Sequence, residues 1–237
     1  MDEVLVRNFP PTRHSALTAL RSSDPAERAR GLQTLCSVYW RPVYGYLRLR
    51  WRFPHGEAAD LTQEFFAVLL EKDLLQRFDP SRARLRTWLR ACVDGVVSSV
   101  DRAAARQRRG GGAVHLDWEE ARGELEGLAG RSPEEAFDEA WARGVFALAL
   151  QRLRAECEGA GRPQLFELLA QCDLSDQRPS YAALAGQFGL SITGVTNRLF
   201  RARRELRRVV MDLLRELTTS DEELREQARA LLQRGPG

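Results

Sequence analysis

Wherever apolar residues recur regularly in this chain they do so at helical spacing, which limits the architectures open to it. Between Leu32 and Trp51 they fall at Leu35, Val38, Tyr39, Val43, Tyr46, Leu47 and Trp51, with Pro42 marking a kink or a first turn. Phe53-Pro54-His55-Gly56 interrupts the pattern. It resumes from Asp60 to Leu75, where Leu61, Phe65, Val68 and Leu69 form an apolar stripe opposite Asp60, Gln63, Glu64 and Glu71. After a turn at Phe78-Asp79-Pro80-Ser81, a third helix is predicted from Leu85 into an arginine-rich segment ending before Gly110-Gly111-Gly112. Ser132-Pro133-Glu134-Glu135 reads as another helix start: a serine cap, proline in the first turn, and acids near the positive end of the dipole. Helical spacing follows through Trp141, Val145, Leu148 and Leu153, then Leu165 to Leu169. No strand-like alternation exceeds about four residues. The fold class expected is therefore all-α.

Three successive glycines cannot hold a helix, so the triplet divides the chain. The division predicts an N-terminal extension (1–31), a first helical domain (32–109), a flexible acidic linker (110–132) and a second helical domain (133–217). A tail (218–237) follows. Its start at Ser220-Asp221-Glu222-Glu223 and the spacing of Leu224, Ala228, Leu231 and Leu232 predict one more helix.

Net charge is only +3, but it is unevenly distributed. Residues 77–109 hold nine arginines against three aspartates, a net of +6, and residues 113–141 reverse this to −7. Residues 191–208 return to +5. Two basic blocks around an acidic spacer suit two surfaces for a polyanion joined by a segment that repels it. Only Lys72 among the 36 basic residues is a lysine, so arginine, the better bidentate partner for phosphate and guanine, carries the positive charge. A bias toward arginine codons gives the same composition.

Chemistry of other kinds finds no support. Cys36, Cys92, Cys157 and Cys172 form no CxxC pair, and His14, His55 and His115 lie far apart, so reduced thiols and no metal or cofactor are expected. Neither a carboxylate cluster nor a nucleophile–base pair suggests an enzyme. With no apolar run of about 18 residues and no secretion signal, the expected compartment is the cytoplasm, without membrane insertion.

The most specific local pattern runs from Tyr181 to Arg204. It reads as a helix, a tight turn at Gly189 and a second helix capped by Ser191, which is helix-turn-helix grammar. Leu184, Phe188, Leu190, Ile192, Val195 and Leu199 have the spacing to pack the pair, and Ala185 sits where the helices cross. Thr193, Thr196, Asn197, Arg198, Phe200, Arg201 and Arg204 are left on the outer face, early residues for base edges and later arginines for phosphates. An ordinary helical hairpin with a basic face is the alternative.

Asp60-Leu61-Thr62-Gln63-Glu64-Phe65-Phe66, then the stretch from Phe78-Asp79-Pro80 to Arg86-Thr87-Trp88-Leu89, the arginine-rich helix end and the helix-turn-helix together resemble an RNA polymerase sigma factor of the extracytoplasmic-function (ECF) type. The resemblance covers residues 35–109 and 140–210. It implies a non-enzymatic subunit that binds core RNA polymerase at the clamp of its largest subunit and directs it to promoter DNA. It leaves room for an anti-sigma factor or other regulator. Residue by residue, it assigns Asp60, Gln63 and Glu64 to polymerase binding. Arg82, Arg84, Arg86, Trp88, Arg102 and Arg106 would contact the minus-ten element, where cations and flat rings suit unpaired bases. Thr193, Thr196, Asn197, Arg198, Arg201 and Arg204 would contact the minus-thirty-five element. Asp94-Gly95 departs from the basic residue and amide common there in the family. Gly194, Thr196 and Phe200 also depart from it. The competing function is a stand-alone helix-turn-helix transcriptional regulator with an N-terminal dimerisation or sensing domain.

Overall fold

In a computed structural model, the described residues are 19–20, 22–71, 74–107, 131–175, 177 and 179–234, with the backbone alone at 100–107 and 232–234. Among them all regular structure is helical. The first helix, α1 (Pro25–Arg50), begins a full turn and more before the apolar pattern does. Asp24 caps it, accepting the Ala26 N–H at 2.9 Å, and Pro25 supplies the preset first-turn dihedral. Its first two turns are polar, so periodicity alone missed them. Residues 25–31 therefore belong to this helix. Pro42 sits inside α1, neither ending it nor opening it.

Helix α2 (His55–Glu71) follows a break at Trp51–Pro54, where Arg52 adopts a positive φ of 56°. A short 3₁₀ turn (Leu74–Arg77) leads to α3 (Leu85–Gln107). Helix α4 (Pro133–Gly159) opens on a complete capping box. Ser132 Oγ accepts the Glu135 N–H at 3.1 Å, and the Glu135 carboxylate accepts the Ser132 N–H at 2.9 Å. Helix α5 (Pro163–Leu169) runs into a π-turn (Ala170–Leu174). Helices α6 (Tyr181–Phe188) and α7 (Ile192–Leu217) follow, then α8 (Asp221–Arg234), the helix expected in the tail.

The apolar core does not respect the division at the glycine triplet. One continuous cluster joins Leu35, Val38, Tyr39 and Val43 of α1 and Phe65 and Leu69 of α2 with Phe137, Trp141, Val145 and Ala149 of α4 and Val209, Leu213 and Leu217 of α7. Leu224 of α8 and Leu89 and Val93 of α3 complete it. Among the described residues the most extensive packing is α1 against α4, one from each side of the expected linker, which itself falls outside them except for Arg131 and Ser132. Two adjacent features bring these helices together. Pro42 has no N–H, so the Val38 carbonyl lacks its usual intrahelical donor. Gly144 of α4 approaches that same oxygen so closely that a Cβ there would lie 2.7 Å from it. A part-buried tie adds to this: Arg152 of α4 donates to Glu216 of α7 at 2.6 and 2.9 Å and to Thr34 Oγ1 of α1 at 3.1 Å.

A second, smaller cluster is independent of the first. Leu168, Cys172, Leu184, Ala185, Val195 and Leu199 pack together, flanked by Phe188 and Leu190. This cluster holds α5, α6 and the first turns of α7, so α7 begins in one core and ends in the other.

Candidate nucleic-acid interface

Local chemistry fixes the α6–α7 pair. Ser180 Oγ accepts the Ala183 N–H at 3.2 Å at the start of α6, and Gly189 ends the helix in the left-handed region at φ 63°. The Leu190 N–H then reaches back to the Ala185 carbonyl at 2.9 Å, and Ser191 caps α7 by accepting the Gly194 N–H at 3.0 Å. A Cβ on Gly194 would stand 3.2 Å from the Ser191 oxygen, so the cap itself favours glycine at this position. Val195 and Leu199 turn inward, fixing which side of α7 faces out.

The outer side carries the expected residues in unequal states. Thr193, Thr196 and Asn197 are exposed, and the Thr196 hydroxyl donates to the Ile192 carbonyl at 3.1 Å. Half-buried Arg198 donates to Gln164 at 3.2 Å. Exposed Arg201 pairs with Glu205 of its own helix at 2.9 Å, while Arg162 reaches Glu205 from the other side at 3.4 Å. Burial would raise the Glu205 pKa, but the two guanidinium groups outweigh it and hold the carboxyl below its ordinary range. Exposed Arg204 and Arg207 make no ion pair among the described residues. Arg203, absent from the sequence-based set, is bidentate to Asp173 at 2.7 and 2.8 Å and locks α7 onto the π-turn. Phe200 is 69% exposed and Ile192 55%.

The residues assigned to the minus-ten element, just before and along α3, are also in unequal states. Arg86 is only 8% exposed, with its guanidinium 4.3 Å from the centre of the Trp141 ring and 3.5 Å from Asp138, both on α4. Arg90 lies over the Phe137 ring and reaches Asp138 at 3.7 Å. Arg84 bonds Glu226 of α8 at 2.5 Å, and Arg82 pairs locally with Asp79 at 3.2 Å. Trp88 is half-buried and packs on the core with Phe78, ring centres 5.4 Å apart. The side chains of Arg102 and Arg106 lie outside the described residues. The acidic block thus does more than space two basic ones: at Asp138 it faces the basic block directly. Opposite net charges in neighbouring segments were a visible signal for this, whereas nothing in the sequence singles out Trp141 as the cover over Arg86.

Asp94 also has a structural partner set. It accepts the Trp51 indole N–H at 2.9 Å and the Tyr46 hydroxyl at 3.3 Å, fastening α3 to the end of α1. The face assigned to polymerase binding is free. Asp60, Gln63 and Glu64 are exposed on α2, opposite buried Leu61, Phe65 and Leu69, and make no side-chain bond among the described residues. Burial pushes the thiols of Cys36 and Cys92 up to about 11, and no group of three or more metal-binding side chains occurs among the described residues. No helix there is long and apolar enough to cross a membrane.

No known protein family matches the chain, and neither a curated protein nor a solved structure is significantly similar to it.

Proposed function

We propose that this protein is an RNA polymerase sigma factor of the ECF type: a non-enzymatic subunit that docks on core polymerase through α2 and reads an upstream promoter element through α7. The observation that carries the reading is the outer side of α7. A capped helix follows a left-handed glycine turn, with Thr193 and Asn197 exposed on its first two turns and unpaired Arg204 and Arg207 farther along. That order suits base edges first and phosphates after. The free Asp60–Gln63–Glu64 face supports the docking half, because an acidic, amide-bearing surface fits a basic helical partner. On this reading the conformation described is one in which Arg86 of the minus-ten set is held under α4, and its use at an opened promoter requires α4 to move off it.

A stand-alone helix-turn-helix regulator is favoured by one specific observation, the core shared by the two halves, which suits an N-terminal half that is structural. Run-off transcription with core polymerase over a promoter library separates the two. A sigma factor binds core polymerase and yields transcripts from a defined subset of promoters. Tight binding to duplex DNA by the chain alone, with no affinity for core polymerase, would overturn the sigma reading.

A further inference from the structure

The outer side of α7 is more apolar than a helix that reads bases by hydrogen bonds needs to be. Ile192, Thr196 and Phe200 are spaced four residues apart and form one stripe. Ile192 and Phe200 are the two most exposed large hydrophobic side chains described, and Phe200 makes no ring contact. The Thr196 hydroxyl is already bonded to the Ile192 carbonyl, so its methyl group is the part best placed to extend the stripe. At about 1.5 Å per residue the stripe runs about 12 Å, which corresponds to three or four base-pair steps along a major groove. Exposed Arg204 and Arg207 continue the same side of the helix and give it the charge that a polyanion complements, where an apolar protein partner would leave those cations without a counter-charge.

Resting on the sigma reading, we infer that Ile192, Thr196 and Phe200 are specificity-determining residues that read thymine 5-methyl groups in the major groove of the upstream element. The thymine methyl is the one apolar feature of a base edge there, and apolar side chains are the groups that distinguish it. Hydrogen-bonded reading is left to Thr193 and Asn197. The element preferred by this protein is accordingly one in which thymines, on either strand, face the stripe.

The experiment uses full-length protein reconstituted with core polymerase, and two pools of promoter duplexes randomised over about one helical turn upstream. One pool is synthesised with thymine and the other with uracil, which differs only by the missing methyl. Wild-type holoenzyme is expected to enrich thymine at particular positions in the first pool, and to bind the uracil versions of those sequences about three- to fivefold more weakly per methyl contacted. Phe200→Ala and Ile192→Ala are expected to shrink that difference toward unity while leaving the salt dependence unchanged. Equal affinity of the wild type for thymine and uracil versions overturns the methyl reading alone. No enrichment in either pool overturns the sigma reading beneath it. Loss of core-polymerase binding by Phe200→Ala, with DNA preference intact in what still binds, assigns the stripe to a protein partner and also overturns the inference.

Discussion

Gly144 offers the sharpest test of how the two halves are joined. Two interior helical glycines contrast sharply: a Cβ at Gly45 of α1 meets nothing within 4 Å, whereas one at Gly144 of α4 meets the Val38 carbonyl oxygen at 2.7 Å. Alanine is favoured over glycine inside a helix by about 1 kcal/mol, so Gly45→Ala should stabilise the protein by roughly that amount. At Gly144 the same gain is opposed, because relieving the contact requires two long packed helices to separate by about 0.5 Å, and overpacking of this kind costs about 1 to 3 kcal/mol. The carbonyl cannot easily turn away, since the Pro42 ring already crowds it on its own helix. The expected result is a net loss of about 0 to 2 kcal/mol for Gly144→Ala, hence a gap of about 1 to 3 kcal/mol between the variants. Urea unfolding followed by circular dichroism measures it, with equal m-values required for the comparison to hold. If Gly144→Ala stabilises as much as Gly45→Ala, α1 and α4 do not pack in solution as described, and the halves are the separate domains the sequence suggests.

Asp94→Ala should destabilise by about 1 to 3 kcal/mol, because it leaves the part-buried Trp51 and Tyr46 donors without their acceptor; thermal melts and Trp51 fluorescence report it. Glu205 has a folded pKa below its unfolded one, so its contribution is present above the ordinary glutamate range and lost as pH falls through the depressed value. Wild type and Glu205→Gln should therefore differ in stability at neutral pH and converge in acid, and a constant difference across the titration would refute the pairing with Arg201 and Arg162. Replacing Gln63 by alanine together with Glu64→Arg should weaken binding to core polymerase without changing helicity, since both side chains are exposed; unchanged affinity removes α2 from the docking surface. Arg204→Ala should lower promoter affinity equally across sequences and reduce the salt slope by about one counterion, whereas Asn197→Ala should cost about 1 to 3 kcal/mol on the preferred element only. Holoenzyme binding to a panel of elements at two salt concentrations distinguishes them.

Much of this protein is decided within a few residues along the chain. Ser132 and Ser191 cap helices with donors three positions on, and Gly189 takes the left-handed turn that other residues resist. These signals involve neighbours in sequence, so reading the sequence finds them. Asp24-Pro25 is a signal of the same kind, overlooked because the polar turns after it hide the helix from a search for apolar periodicity. The outward faces of α2 and α7 were legible too, since helical spacing fixes which residues oppose a buried stripe. What the sequence does not contain is the partner of each face. Arg84 meets Glu226 across 142 positions of chain, Arg86 lies beneath Trp141, and Gly144 finds the carbonyl that Pro42 leaves free. An arginine in a basic run looks the same whether it will meet phosphate or an indole ring. Only when α3 and α4 come together and exclude water between them does burial separate Arg86, held inside the fold, from Arg204, left exposed.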